Sequence, residues 1–99
     1  MVITETASAG SLEKGDVLVR IEPGQRGIEL NISSSVIHQF GRRIREVVLE
    51  TLERLAVRDA RVALEDQGSL DFVLKSRVEC AVYRACHITE NIPWGGAVR

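Results

Sequence analysis

Val36, Phe40, Ile44, Val47, Val48, Leu52 and Leu55 recur at helical spacing through the middle of the chain, and Arg42, Arg43, Glu46, Glu50, Glu53 and Arg54 fill the other side. This spacing predicts an amphipathic helix over 36–55. Ser33, Ser34 and Ser35 precede it and offer N-cap oxygens. Such a helix cannot bury its stripe alone. In 99 residues there is room for one core, so the flanking segments must supply the surface it lies on. Aromatic residues make up only 4% of the chain, so that core is aliphatic. Phe40, one of two phenylalanines, is expected to be buried in it.

Two alternating runs precede the helix. Val17, Val19 and Ile21 alternate with Leu18 and Arg20, and Ile28, Leu30 and Ile32 alternate with Glu29, Asn31 and Ser33. Period-2 patterning reads as strands with one apolar face. Between them, Glu22-Pro23-Gly24-Gln25-Arg26-Gly27 is turn chemistry. The expectation is an antiparallel hairpin of 16–21 against 28–33, with Val17, Val19, Ile28, Leu30 and Ile32 inward. A third short strand is expected over 61–65, with Val62 and Leu64 inward, broken by Asp66-Gln67-Gly68-Ser69. From Leu70 to Cys86 good helix formers dominate. Leu70, Val73, Leu74, Arg77, Val78, Ala81, Val82 and Ala85 share one broad face, and Ser69 stands at the N-cap position. Residues 1–15 read as a flexible arm, with the glycine-bounded stretch 9–16 exposed and mobile, and 87–99 as a polar tail carrying Pro93 and Trp94. The expected fold is a small single α/β (α+β) domain, β-β-α-β-α, with a mainly antiparallel three-stranded sheet packed against two helices.

Thirteen Lys and Arg against fourteen Asp and Glu leave a net charge of −1. That balance argues against a nucleic-acid partner and against a polybasic membrane anchor. The longest apolar runs are a few residues, and Met1-Val2-Ile3-Thr4-Glu5 lacks a signal-peptide pattern, so the chain reads as cytoplasmic. Cys80 and Cys86 lie six apart without a CxxC, which reads as two unpaired thiols and not a metal site. His38 has no nucleophile or carboxylate spaced to orient it, and His87 follows a helix end, where a cation suits the dipole. Glu65-Asp66 reads as a turn, and Arg42-Arg43-Ile44-Arg45 as a solvated helix face. No catalytic motif is present. The chain is expected to be non-catalytic, with no catalytic residue and no metal.

Gly-Ser-Leu occurs twice, at 10–12 and 68–70. The tripeptide resembles the serine site of phosphopantetheine carrier proteins. Ser69 is occupied by its capping position, whereas Ser11 lies in the glycine-bounded segment with no cap to serve. Longer stretches carry a more specific likeness: 9–17 (AGSLEKGDV), 19–23 (VRIEP), 34–36 with Gln39-Phe40-Gly41, 66–71 (DQGSLD), and Ile92-Pro93-Trp94. In this order and spacing the chain resembles the acyl carrier protein, or gamma subunit, of citrate lyase.

That resemblance implies a carrier subunit of a lyase complex that cleaves citrate to acetate and oxaloacetate. It implies a phosphoribosyl-dephospho-CoA prosthetic group held through a serine phosphodiester, whose thiol bears acetyl and then citryl. The implied partners are the alpha (transferase) and beta (lyase) subunits and a prosthetic-group transferase. In the family motif, Ala-Gly-Thr-Leu-Glu-Ser-Gly-Asp, the carrier serine precedes Gly-Asp. Lys14 occupies that position here, and a lysine has no hydroxyl to esterify. Ser11, three residues earlier and roughly 10 Å along an extended chain, is the alternative attachment residue, with Ser8 beyond it. The alternative role is an unloaded scaffold subunit of a related lyase complex.

Overall fold

The computed structural model describes residues 1–34 and 37–86, with the side chains of 34 and 37–40 left aside. The expectations for Val36, Phe40, His38, the serine cap at 34–35 and the tail from His87 lie outside the described residues. The elements are β1 (Ala7–Gly10), β2 (Val17–Pro23), β3 (Ile28–Ser34), α1 (Ile37–Arg54), β4 (Ala60–Asp66) and α2 (Asp71–Ala85).

The two helices and the three expected strands lie where the periodicity puts them. A fourth strand, β1, is added, so the order is β-β-β-α-β-α. Ala-Ser-Ala-Gly has neither bulk nor strand propensity of its own. It becomes a strand because β2 offers it an edge: Ala7 pairs with Ile21 and Gly10 with Leu18, antiparallel. Residues 1–15 are therefore not a free arm. Ile3 and Ala9 are core residues, and Thr4 donates to the Ala85 carbonyl through both its amide and its hydroxyl.

The expected hairpin between the two alternating runs does not form. The sheet order is β1-β2-β4-β3. β4 inserts between β2, to which it is antiparallel, and β3, to which it is parallel. The physical reason is the helix. A strand followed by a helical crossover returns alongside itself in the same direction, so β3-α1-β4 claims the flank of β3 that the hairpin would have used. The turn at 24–27 must then step over a whole strand, ~10 Å between second neighbours. It passes against the start of β4. A Cβ on Gly24 would lie 2.8–3.0 Å from Ala60 backbone atoms. The Ala60 amide donates to the Gly27 carbonyl, and the Gly27 amide to the Asp59 carboxylate.

α2 lies over β1 and β2, α1 over β3, and the helices pack against each other above β4. Alternation along β4 is complete: Ala60, Val62, Leu64 and Asp66 are buried while Arg61, Ala63 and Glu65 face outward. Val17, Val19 and Ile21 of β2 and Ile44, Val47, Val48 and Leu52 of α1 complete the aliphatic core. The inward residues of β3, Ile28, Leu30 and Ile32, are only half-buried because their strand is an edge. Just past the end of α1, Ala56 adopts φ +55°, and the Ala56 and Val57 amides bond back to the Glu53 and Leu52 carbonyls. α2 begins at Leu70, which has no side-chain cap. Ser69 does not cap the helix as expected, because its amide and hydroxyl both go to the Asp66 carboxylate.

Gly24→Ala should destabilise the protein by ~1–3 kcal/mol, since its new methyl meets backbone that cannot swing away. Urea unfolding measures this as a lowered midpoint. An unchanged midpoint would mean that the turn does not cross β4 so closely.

Candidate functional site

The β1–β2 connection, residues 11–16, carries both sequence-derived site residues. It is built around one carboxylate. Asp16 Oδ1 accepts from the Val17 amide at 2.7 Å and from Arg77 Nε at 3.0 Å. Asp16 Oδ2 accepts from Ser11 Oγ at 2.7 Å and from Arg77 Nη2 at 3.1 Å. Four donors use the full accepting capacity of a carboxylate, and the two from Arg77 form a bidentate fork.

The backbone closes the same loop. The Asp16 amide donates to the Glu13 carbonyl, and the Glu13 amide reaches Ser11 Oγ. Beyond the last strand pair, Val17 with Asp66, the ladder continues: Gly15 donates to the Gln67 carbonyl and Gln67 to the Asp16 carbonyl. The adjoining 66–69 turn is pinned in the same manner, with Asp66 accepting from the Gly68 and Ser69 amides and the Ser69 hydroxyl. Gly10 opens the loop at φ +96°, and a Cβ there would lie 1.8 Å from the Val17 carbonyl oxygen. It would also sit 3.4 Å from Arg77 Cδ, so the arginine stem crosses the loop where the glycine leaves space.

The two expected site residues play different parts. Ser11 is half-buried and turned inward as donor to Asp16 and acceptor from Glu13. It is thus not the unengaged hydroxyl expected of it. Lys14 is exposed at the turn, flanked by exposed Glu13 and Gly15. The loop does present residue 14 to solvent, but from a bonded frame and not from an unstructured arm.

The sequence reasoning missed Asp16 and Arg77 as members of this site. One signal was available: Arg77 stands among Val73, Leu74, Val78 and Ala81 on the helix face assigned to the core, and a cation there requires a partner. Of the other singled-out residues, Glu65 and Asp66 end strand β4 and are not a turn, the turn following at 67–69. Among the described residues no group of His, Cys, Asp and Glu could hold a metal ion, and no helix is long and apolar enough to cross a membrane. Cys80 and Cys86 are free thiols. Burial pushes the Cys86 thiol up, and its Sγ lies 3.0 Å from the Val2 carbonyl oxygen. The Arg42–Arg45 cluster is exposed apart from Ile44, with Arg43 paired to Asp71.

The guanidinium of Arg77, helped by Ser11 and the Val17 amide, holds the Asp16 carboxyl at about 2 against the desolvation that would raise it. A carboxylate depressed in the folded state contributes stability above its unfolded value, near 3.9, and that contribution is lost as pH falls through about 2. Carbon-detected NMR titration should place the Asp16 midpoint near 2. In Arg77→Met the midpoint should rise toward the ordinary carboxylate range. An unmoved midpoint would mean the fork is not formed in solution.

Comparison with known proteins agrees with this architecture. Residues 4–85 match the acyl carrier family model described as malonate decarboxylase delta subunit (MdcD). The citrate lyase acyl carrier protein of Vibrio cholerae serotype O1 (strain M66-2) is 53% identical over 95 residues, covering 95% of this chain and 96% of that one. The protein of the same name from Rhodopseudomonas palustris (strain BisA53) is 48% identical over 85 residues, 86% of this chain and 88% of that one. The one from Streptococcus uberis is 43% identical over 90 residues, with 91% and 89% covered. Among solved structures, a chain of a Pseudomonas malonate decarboxylase hetero-tetramer in complex with malonate superposes with a TM-score of 0.74 over 84% of this chain and 86% of that chain. At 21% identity that likeness speaks for the fold. With relatives this similar along almost its whole length, the chain belongs to the citrate lyase acyl carrier protein family.

Proposed function

We propose that this chain fills the carrier place in a citrate lyase-type complex in the cytoplasm, beside an alpha (transferase) and a beta (lyase) subunit, with the β1–β2 loop as its presentation site. It is a non-catalytic subunit. The observation that carries the reading is the loop itself: a rigid frame around Asp16 with residue 14 exposed at its turn. A carrier protein contributes presentation, and its cofactor contributes the chemistry. Such a loop meets that need, because it offers one side chain to several enzymes without disturbing the sheet.

The group implied by the family, phosphoribosyl-dephospho-CoA, requires an acceptor hydroxyl. Lys14 offers an amine and does not fit a phosphodiester. Ser11 offers a hydroxyl, but its proton is directed at Asp16, and a carboxylate held at about 2 is a poor base for removing it. On this reading the loop keeps its frame, while residue 14 lacks an acceptor hydroxyl. Lys14 also favours a second reading, in which the chain serves the complex as an unloaded scaffold subunit.

Intact mass tests both. Incubated with the prosthetic-group precursor and its transferase, the unaltered chain should gain no mass. Lys14→Ser should restore the gain, and Ser11→Ala in that background should leave loading largely intact. If the unaltered chain gains mass and Ser11→Ala abolishes the gain, the attachment lies at Ser11 and the assignment of Lys14 fails. If no form is loaded yet the protein binds the lyase subunits, the scaffold role is the correct one.

A further inference from the structure

We infer that Arg77 is the positioning residue of the carrier loop: reaching across from α2, it sets the geometry in which residue 14 is offered to the enzymes that act there. The inference rests on the carrier reading above and extends it to a residue outside the loop.

The side-chain bonds that join Ser11, Glu13 and Val17 within the loop are local, spanning at most five residues. They shape the loop without fixing where it points. The Gly15–Gln67 exchange ties its C-terminal end to the β4 exit. Arg77 supplies a second anchor from another direction, 61 residues away in sequence. Two anchors at an angle define an orientation, whereas one leaves a hinge. The fork is bidentate, so it restricts rotation about Asp16 as well as distance. The missing side chain at Gly10 is the counterpart of this arrangement, since the arginine stem runs past the place where a Cβ would stand. Arg84, two turns further along α2, bonds the Ser8 carbonyl of β1. The helix thus holds both the strand and the loop that follows it. Arg84 touches no loop residue through that bond, which makes it the matched control.

The test uses the full chain carrying Lys14→Ser, with Arg77→Ala, Arg77→Lys or Arg84→Ala added. Loading by the prosthetic-group transferase is followed by intact mass, and amide hydrogen exchange is read at Glu13, Gly15 and Asp16. Arg77→Ala should lower kcat/KM for loading on the order of 10–100-fold and raise exchange at the three loop amides. Arg77→Lys keeps the charge but loses the fork, so it should recover only part of the rate. Arg84→Ala should load at the parent rate even at equal loss of thermal stability. Should Arg77→Ala fail to fold, Arg77→Lys and Arg77→Gln carry the comparison. The inference is overturned if Arg77 variants load at the parent rate, or if Arg84→Ala slows loading equally. If Lys14→Ser is never loaded, the carrier reading fails. Exchange in the unloaded chain then decides the positioning role alone: protected loop amides in Arg77→Ala overturn it, and exposed ones support it.

Discussion

The fold turns on the placement of β4. Its seven residues pair along their full length with β2 on one side and β3 on the other. Every backbone group it could leave unpaired in the sheet interior is thereby satisfied. Because β4 arrives by way of α1, its direction is set by β3 while its partner β2 runs the opposite way. The mixed sheet follows from that single crossover. So does the seating of the helices on the two halves of one face, with the inward side chains of β4 beneath their junction.

The same strand determines where the loop can be held. Asp66, its last residue, pairs with Val17, so the exits of β2 and β4 lie side by side. Two carboxylates, Asp16 and Asp66, occupy this end of the sheet. Each organises its own turn by accepting amide and hydroxyl protons, so neither is left as an uncompensated charge. Arg54 and Glu79 form a further ion pair between the helices, with the carboxylate buried and the guanidinium partly exposed. In this small aliphatic core, polar groups are placed where they fix angles between elements, a role that uniform apolar packing performs poorly.

Much of this was legible in the residues. Period-2 alternation located Val17, Val19, Ile21, Val62 and Leu64 on the buried side, and helical spacing located both helices to within a residue or two. The pairing of strands was not legible. Pro23-Gly24 between two alternating runs has the local chemistry of a hairpin, and only the demand of the α1 crossover overrides it. β1 was invisible because Ala, Ser and Gly carry no hydrophobic pattern, its pairing being induced by the neighbouring edge. The site was half legible. The glycines and the family motif marked the loop, but the reach of Arg77 to Asp16 depends on how α2 crosses β1 and β2. Local sequence does not encode that crossing.

That reach also imposes an order in time. The loop comes early in the chain, yet its frame requires Gln67 and Arg77, which leave the ribosome some fifty to sixty residues later. The bonds that Gln67 and Arg77 give the loop form only once β4 is in the sheet and α2 lies over it. A nascent or truncated chain that stops short of α2 lacks Arg77, the partner that the loop's carboxylate has on that helix. An enzyme that recognises the finished loop would therefore discriminate complete subunits from incomplete ones without reading anything beyond a six-residue turn.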